Sequence, residues 1–462
     1  MKNFVLILLV ALCSDVQAQL CSSGNITLQD SVASTCFEIT LTMQQDNLDR
    51  PYVYVASKEG GLKIYDITSE ASLVATIPIT AFENLHVMNL TQQGYYVYLA
   101  LGNHFSAGQQ AGIAVVDVTM PDAALVTDYW TNENSDHGAG IVAVEGNYAY
   151  LGAMDSGIDV LNIADPTNIQ FVSNFLPDVN FPDPTPDLEK INARGMQVLN
   201  DIVYLCYDAG GFRTIDATDK ANLMPMDEYS NPVLDNLPRA YNNIVVDMPY
   251  AYIAVDYCGM EVFNISDPTN ITAVSWWNPW HCETNPLNWF SSNGHTNEIA
   301  MDTDCNLIFM STGKSDLNVV DVSDPTMPDS CTTYGGINNN LGTWGVSRNG
   351  HNLYLSYICA VIPFASNWTG VKMLTYEGNC DEGVNEEIFR CTVMPNPTTD
   401  FVSIQSNGAL PLAVEVLDCS GKMLQSIASV QGRIELPQDA GVYFLKVHSS
   451  FGSSVTRIVK TN

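Results

Sequence analysis

The stretch Tyr250–Asn270 reads YAYIAVDYCGMEVFNISDPTN and contains one complete copy of a unit that recurs along the chain. It consists of an alternating run, a glycine, a second apolar run that ends in Asn, and an Asp-Pro turn. Both runs are short and rich in β-branched and aromatic residues, which predicts strands rather than helices. One unit therefore predicts a pair of strands that is followed by a turn.

The first strand of the unit recurs seven times, and its copies begin at Tyr52, Tyr96, Tyr148, Ile202, Tyr250, Leu307 and Asn352. A spacing of about 50 residues is a propeller period rather than that of a leucine-rich or helical repeat. The third position of the strand is aromatic in every copy, and the fifth position is small. Both positions lie on one face, where a large and a small residue suit wedge-shaped sheets.

A third and a fourth run complete most units, which predicts a four-stranded sheet per repeat. The expected fold class is all-β: a seven-bladed β-propeller of four-stranded antiparallel blades, followed by a small C-terminal β-sandwich. The seventh unit lacks an obvious outer strand after Leu374. We therefore expect the lead-in near Cys36–Thr42 to close the ring by completing a blade.

The second strands read IAVVD at Ile113–Asp117 and LNVVD at Leu317–Asp321. With the glycine that precedes most copies, they resemble the LVIVD-repeat family of β-propellers. The resemblance covers roughly residues 36–378, and we assign residues 19–378 to the propeller.

Beyond an acidic linker at residues 379–391, the pattern changes. Residues 392–462 contain a P-N-P-T-x-D start, a D-x-x-G-K centre, a G-x-Y strand and a basic tail. The motif positions are Pro395, Asn396, Pro397, Asp400, Gly421, Lys422, Gly441, Tyr443 and Lys460. This region resembles the type A sorting domain of the type IX secretion system of Bacteroidota. The resemblance implies recognition by the secretion machinery and its sorting peptidase, removal of the domain, and either release or attachment at the cell surface.

Residues 1–18 predict a signal peptide, with Lys2 at its start, an apolar core at Phe4–Leu12 and a small-residue cleavage site at Val16–Ala18. No other segment is long and apolar enough for a transmembrane helix. The 18 Lys and Arg against 51 Asp and Glu give a net charge of −33, which argues against binding to nucleic acid or anionic membranes. The expected location is secreted or on the outer-membrane surface, after both targeting segments are removed.

The chain has 12 cysteines, and Cys13 leaves with the signal, so 12 − 1 = 11 remain in an oxidising compartment. The candidate pairs are Cys258 with Cys282, Cys305 with Cys331, and Cys21 with Cys36. The partners of Cys359, Cys380, Cys391 and Cys419 stay open. Cys206 occupies the small-residue position of its strand, which predicts a buried free thiol.

The long and variable loops connect the third strand of each unit to its fourth, the inner strand that precedes the next aromatic strand, and they gather on one face of the ring. Binding surfaces usually form on such a face. Candidate binding residues in or beside these loops and at the channel mouth are His86, His137, Arg194, Arg239, Tyr241, Trp280, Trp289, His295 and Trp344. The alternative is that these polar and aromatic residues satisfy and cover the loops themselves.

No catalytic motif, metal-ligand spacing or cofactor fingerprint fits its context, so we assign no catalytic residue, metal or cofactor. The leading hypothesis is an exported binding or scaffold module for glycan or protein. The alternative is an extracellular propeller hydrolase or lyase that acts on a polymer, with His137, His295, Arg239 or Arg194 at the channel mouth. Because propellers host many activities, the fold does not decide between them.

Overall fold

The computed structural model describes residues 25–284, 294–313, 316–335, 341–360, 366–377, 391–394, 398–406, 413–418, 422–428, 433–449 and 452–461. The chain divides into two compact units, residues 1–378 and 379–462. The predicted signal peptide and Cys21 lie outside the described residues, as does nearly all of the predicted linker.

The first unit contains seven four-stranded antiparallel sheets, which confirms the predicted fold class. The chain begins with β1 (Asn25–Ala33). Blade 1 contains β2 (Met43–Gln45), β3 (Tyr52–Ala56), β4 (Leu62–Asp66) and β5 (Ser72–Ile77). Blade 2 contains β6 (Val87–Gln93), β7 (Tyr96–Leu101), β8 (Gly112–Asp117) and β9 (Leu125–Thr131). Blade 3 contains β10 (Ile141–Glu145), β11 (Tyr148–Gly152), β12 (Ile158–Asn162) and β13 (Gln170–Phe175).

Blade 4 contains β14 (Gly195–Leu199), β15 (Ile202–Cys206), β16 (Phe212–Asp216) and β17 (Met224–Tyr229). Blade 5 contains β18 (Tyr241–Asp247), β19 (Tyr250–Val255), β20 (Gly259–Asn264) and β21 (Thr272–Trp277). Blade 6 contains β22 (Thr296–Asp302), β23 (Leu307–Thr312), β24 (Leu317–Asp321) and β25 (Asp329–Tyr334). Blade 7 contains β26 (Thr343–Asn349), β27 (Asn352–Tyr357), β28 (Gly370–Glu377) and the N-terminal β1. Short 3₁₀ helices span Ile79–Phe82, Pro121–Ala123, Leu188–Lys190 and Pro232–Leu234.

The ring is closed by the N-terminal lead-in, but not by the segment that the sequence suggested. The outer strand of blade 7 is β1, paired antiparallel with β28 from Asn25 opposite Glu377 to Ala33 opposite Gly370. The run near Cys36–Thr42 forms no strand, and its Leu41 is fully buried beside Met88 and Trp344. The end of the run, residues 40–42, is buried inside the ring, although Phe37 is exposed. The strand β1 is a largely exposed edge strand with a weaker hydrophobic signal.

The aromatic and small positions of the repeat perform the packing role predicted from their alternation. The aromatic residues are buried in all seven blades: Tyr54, Tyr98, Tyr150, Tyr204, Tyr252, Phe309 and Tyr354. Their small neighbours are buried as well: Ala56, Ala100, Gly152, Cys206, Ala254, Ser311 and Ser356. Tyr54 and Ala56, for example, pack in one cluster with Val97 and Leu99 of the next blade.

The Asp-Pro turn carries a local and an inter-blade hydrogen bond. In its local part, the backbone N–H of Thr269 donates to Asp267 at 3.0 Å, as expected for an Asx turn. The residue that follows the turn is held by the preceding blade: the Ile271 N–H donates to Asp227 Oδ2 at 2.7 Å. The same bond recurs after a second Asp-Pro turn, from Ile169 to Asp128 at 2.7 Å. A corresponding bond runs from Ala71, whose turn has no Asp-Pro pair, to Asp30 of β1 at 2.6 Å. These turns therefore stabilise the contacts between blades.

The cysteines follow the prediction in part. Cys258 pairs with Cys282 and Cys206 is a buried free thiol, which confirms both expectations. Cys36 pairs with Cys359 across 323 residues of sequence, so the expected Cys21–Cys36 pair is wrong. Because β1 runs alongside β28, the residues after β1 pass the end of β27 rather than turning back on themselves. Cys305 and Cys331 are each disulfide-bonded.

We expect Cys206 to resist alkylation in the folded protein, because burial raises the pKa of its thiol and excludes the reagent. Iodoacetamide labelling followed by peptide mapping measures this residue separately from the others. The peptide with Cys206 should be unlabelled in buffer and fully labelled in guanidinium. Labelling in buffer at the rate of a small-molecule thiol would show that the position is open.

The second unit consists of two sheets. One contains β29 (Cys391–Met394), β30 (Phe401–Ser406) and β33 (Arg433–Glu435). The other contains β31 (Ala413–Leu417), β32 (Met423–Ala428), β34 (Gly441–Ser449) and β35 (Gly452–Lys460). Val402 and Ile434 of the first sheet share a core with Val414, Leu445 and Ile458 of the second, so the unit is the predicted β-sandwich.

Candidate functional site at the channel mouth

The first strand of each blade lines the central channel. These inner strands contact one another in turn around the ring: β2, β6, β10, β14, β18, β22, β26 and again β2. The loop after the second strand of a blade reaches the start of the next inner strand, through isolated bridges such as Lys58–Val87, Asp208–Tyr241 and Gly313–Thr343. The repeat therefore places side chains from the loops of successive blades at one end of the channel.

We call this end the channel mouth and define it by Lys58, His86, His104, Arg194, Asp208, Asp256, His295, Asn297, Glu298 and Trp344. These residues come from loops or inner-strand starts of six blades. Only His86, Arg194, His295 and Trp344 belong to the set expected from the sequence.

A series of aromatic rings connects blade 2 to blade 5 across the mouth. His104, in the loop after β7, stacks on Trp344 of blade 7 with ring centroids 6.2 Å apart and planes 18° apart. Trp344 meets His295 of blade 6 edge-on at 6.1 Å, and His295 stacks on Tyr257 of blade 5 at 4.7 Å. Because blades 2 and 7 are separated by blade 1, the His104–Trp344 contact places both rings at the mouth of the channel.

His295 is held by a carboxylate. Its Nδ1 lies 2.6 Å from Asp256 Oδ1, and both side chains are almost entirely buried. The same Asp256 oxygen accepts the Thr296 backbone N–H at 3.1 Å. Asp256 thus fixes the orientation of the imidazole, as the carboxylate partner does for a general base.

Several buried polar atoms at the mouth lack a partner among the described residues. Asn297 is 4% exposed, and neither its amide nitrogen nor its amide oxygen forms a hydrogen bond. Both ring nitrogens of His104 and the Nδ1 atom of His86 are in the same situation. Since buried polar groups are nearly always hydrogen-bonded, these atoms are candidates for contact with a ligand or with solvent.

Burial and one arginine set the charges at the mouth. Burial, with the nearby cations Arg194 and Lys58, lowers the pKa of His104, so this imidazole is neutral. Burial raises the pKa of Glu298 to about 8, against the opposing charge of Arg194. Burial likewise raises the pKa of Asp208 to about 6, again opposed by Arg194. At neutral pH, Glu298 is therefore mostly protonated and Asp208 mostly ionised.

The other residues that the sequence predicted for the site contact neighbouring protein groups. The Arg239 guanidinium donates to the backbone oxygens of Ala209 and Leu234 at 3.1 and 3.0 Å, and so fastens its own loop. Tyr241 is fully buried between blades 4 and 5, where its hydroxyl donates to Glu261 at 3.0 Å. His137 Nδ1 lies 3.0 Å from Asp155 of blade 3.

Trp280 is half-buried and packs edge-on against Trp277 at 5.3 Å, as in the self-packed cover that was the alternative for this loop. Trp289 lies outside the described residues. His86 is half-buried at the mouth, and burial and the charge of Lys58 lower its pKa.

Two carboxylates lie between blades and accept hydrogen bonds that join neighbouring blades. Asp159 of β12 accepts from Asn132 of blade 2 at 2.8 Å, and Glu261 of β20 accepts from Asn231 of blade 4 at 2.7 Å. The two carboxylates occupy equivalent strand positions in blades 3 and 5. A cavity of about 1100 Å³ lies between blades 2 and 3 beside Asp159, and its wall includes Trp130 stacked on Phe171 at 5.4 Å.

The residues at the mouth that the sequence analysis missed are Lys58, Asp208, Asn297 and Glu298. The feature that marks them in the sequence is their position in the repeat. The residue pair that opens the inner strands differs in each blade, for example Arg194–Gly195, Asn242–Asn243 and Asn297–Glu298. A search for positions where the repeat is broken would have found them.

The motif residues of the second unit that fall in the described range form local bonds. The Lys422 backbone N–H donates to Asp418 at 3.0 Å, and the Tyr443 hydroxyl donates to the Asp439 oxygen at 2.8 Å. Lys460 Nζ donates to the Pro437 oxygen at 2.6 Å, and the Asp400 oxygen accepts from Leu436 at 3.0 Å. Gly441 begins β34. Pro395, Asn396, Pro397 and Gly421 lie outside the described residues.

Two family descriptions match the chain. Residues 51–76, 138–176, 239–278 and 306–334 match the LVIVD repeat. Residues 392–461 match the secretion system C-terminal sorting domain. Both matches confirm the resemblances drawn from the motifs. No curated protein sequence matches the chain significantly.

Solved structures show the same fold at low identity. The crystal structure of the RRP9 WD40 repeats is 11% identical with a TM-score of 0.56, over 77% of this chain and 100% of that one. A chain of the mitotic checkpoint complex is 9% identical with a TM-score of 0.51, over 75% of this chain and 90% of that one. At such identities the likeness concerns the propeller alone. In the part of the chain that the structure describes, no helix is long and apolar enough to cross a membrane.

Proposed function

We propose that this chain, an LVIVD-repeat β-propeller whose type IX sorting domain directs it out of the cell, is a binding module whose ligand enters the channel mouth. The ligand is a glycan or a protein segment. The sorting domain engages the secretion machinery, and the expected destination is the medium or the cell surface. Residues 1–18 are the signal peptide and residues 19–378 the propeller in this proposal.

The observation that carries the proposal is the set of unpartnered polar atoms at the mouth. Asn297 and His104 together offer two amide atoms and two ring nitrogens that no described protein group satisfies. An unsatisfied buried polar group costs roughly 1–3 kcal/mol, so a protein that retains several in one place gains that free energy when a ligand binds there. The flanking Trp344 ring supplies an apolar surface, as binding sites usually do.

Replacing His104 with Phe tests the proposal, because the variant keeps a ring against Trp344 and removes both nitrogens. The purified protein is applied to an array of glycans and peptides, and each bound ligand is then titrated calorimetrically. We expect His104→Phe to weaken binding at least about tenfold without lowering the melting temperature, because the variant removes two unsatisfied buried nitrogens. The matched control is His281→Phe, at a side chain that is 75% exposed. Equal affinities of the two variants would place the ligand away from the mouth.

The rival function, hydrolysis or elimination on a polymer, is favoured by one specific observation. The 2.6 Å contact between His295 and Asp256 has the geometry of a base and its orienting carboxylate, and protonated Glu298 is an acid at the same mouth. His137 and Arg239, however, have structural partners elsewhere. Release of reducing or unsaturated ends from the same array ligands, abolished by His295→Gln, would establish turnover in place of simple binding.

A further inference from the structure

We propose that the ligand of the channel mouth is an acidic glycan and that Arg194 binds the carboxylate of one of its uronic acid units. This inference rests on the proposed function and adds the chemical class of the ligand. It follows from which groups at the mouth have partners and which do not.

Arg194 is held in place through its backbone, and its side chain forms no direct hydrogen bond with the described residues. It lies at the start of β14, where its N–H donates to the Cys206 oxygen at 3.1 Å. The adjoining Gly195 allows the inner strands to approach closely, since an added Cβ would lie 2.2 Å from the Asn242 oxygen. Among the described residues, none forms a hydrogen bond or ion pair with the Arg194 guanidinium.

The remaining charges at the mouth already have partners or are neutral. Lys58 forms an ion pair with Glu59, and Asp256 is paired with His295. Asp208 accepts from Asn192 at 3.1 Å, and the protonated Glu298 accepts from Thr42 and from the Val346 N–H, both at 3.3 Å. The ionised Asp208 acts on Arg194 through its charge but forms no ion pair with it among the described residues. Arg194 is therefore the cation for which an added carboxylate supplies a direct pair. A guanidinium offers a planar fork that matches both carboxylate oxygens.

The neutral groups around Arg194 favour a sugar as the carrier of that carboxylate. Asn297, neutral His104 and protonated Glu298 each offer both a hydrogen-bond donor and an acceptor. Sugar hydroxyls also donate and accept, so a uronate ring can satisfy both kinds of atom. An ionised Asp or Glu side chain supplies acceptors only, so a peptide could satisfy the amide oxygen of Asn297 and one nitrogen of His104 only through its backbone N–H groups, whereas a uronate ring has its donors beside its carboxylate.

The test uses ligand pairs that differ in the carboxylate alone. Short oligomers of galacturonate, mannuronate, guluronate and glucuronate are titrated into the purified full-length secreted chain, each beside its carboxyl-reduced counterpart. We expect at least one uronate oligomer to bind at least about tenfold more tightly than its reduced form. Arg194→Gln should remove that difference, whereas Asn297→Ala should weaken both forms alike. Circular dichroism melts show that each variant is folded.

The control is Lys190→Gln, which removes a positive charge four residues earlier in the same loop, from a side chain that is 70% exposed. It should keep the preference for the uronate. Glycan binding that is indifferent to carboxyl reduction and to Arg194→Gln would overturn the acidic-glycan inference and leave the proposed binding function standing. Binding of a Glu-rich peptide in place of every oligomer would also overturn it. Failure of every glycan and peptide to bind would overturn both.

Discussion

Deletion of residues 25–33, which form β1, should prevent the propeller from folding rather than merely shorten it. The strand supplies the outer edge of blade 7 along the whole of β28. It also reaches blade 1, because Val32 packs on the cluster that contains Met43 and Val53. The loss therefore opens the ring at the junction between its first and last blades.

The expected size of this effect follows from the bonds lost. Each backbone hydrogen bond contributes about 1 kcal/mol net, and β1 pairs with β28 at eight residues, on both sides of a bulge between Leu28 and Asp30. The loss is therefore of the order of the 5–15 kcal/mol that stabilise a typical domain. The bond from the Ala71 N–H to Asp30, at 2.6 Å, is lost as well. Far-ultraviolet circular dichroism, urea unfolding and size-exclusion chromatography measure the outcome.

The matched control for the deletion is Leu28→Ser, at a side chain of β1 that is 46% exposed. It keeps the backbone ladder and should change the free energy of unfolding by no more than about 0.5 kcal/mol. Adding a peptide of residues 25–33 to the deleted chain should restore part of the cooperative transition. A deleted chain that unfolds cooperatively at the original urea concentration would mean that β1 does not close the ring.

The strand β1, which closes the ring, shows why part of the fold could not be predicted from the sequence. The second strand of each blade is buried on both faces, so its aromatic and small positions repeat strictly, as at Tyr252 and Ala254. These strands could therefore be predicted from the sequence. An edge strand such as β1 is largely exposed and includes only isolated apolar residues such as Ile26 and Val32. The apolar run near Leu41 gave the stronger signal, yet it packs within the ring without forming a strand.

The candidate site was predictable only as a face of the ring. Loop length indicated one face, and His295 and Trp344 were named as candidates because they stand beside inner strands. Asn297 and Glu298 lie within β22, where a strand pattern alone says nothing about which side chains meet across a channel. Conversely, Tyr241 looked accessible because it starts an inner strand, but the bridge from Asp208 to that residue covers it. Which side chains meet at the mouth depends on strand register and on closure of the ring, and both involve residues far apart in the sequence.

The second large effect is expected for Arg50→Met, which leaves the buried Asp46 carboxylate without its cation. The Asp46 side chain is fully buried, and it accepts from Arg50 at 2.5 and 3.0 Å and from the Tyr54 hydroxyl at 2.5 Å. Arg50 also donates to the backbone oxygens of Val118 and Thr119 in blade 2, at 2.9 and 3.1 Å. Removing one partner of a buried pair is strongly destabilising, and we expect a loss of about 3 kcal/mol in the free energy of unfolding.

Urea unfolding at neutral pH measures this loss, and Lys190→Met is the matched control. Lys190 forms an ion pair with Asp187 in which both side chains are largely exposed, at 2.8 Å, so its removal should cost less than about 1 kcal/mol. The double variant Arg50→Met, Asp46→Asn should recover part of the stability, because no buried charge remains. Similar losses for Arg50→Met and Lys190→Met would show that the Asp46 pair is not a buried interaction.

The pH dependence distinguishes a lost ion pair from lost packing. Burial raises the pKa of Asp46, but the hydrogen bonds from Arg50 and Tyr54 outweigh it, so the folded pKa lies below the ordinary value. A depressed pKa contributes stability above the unfolded value of about 3.9, and this contribution disappears as the pH falls through the folded value. In Arg50→Met the burial of the carboxyl dominates and its pKa rises, so protonation on acidification relieves the destabilisation. The difference in unfolding free energy between the two proteins should therefore shrink as the pH is lowered from neutral to about 4, whereas a packing defect would leave it constant.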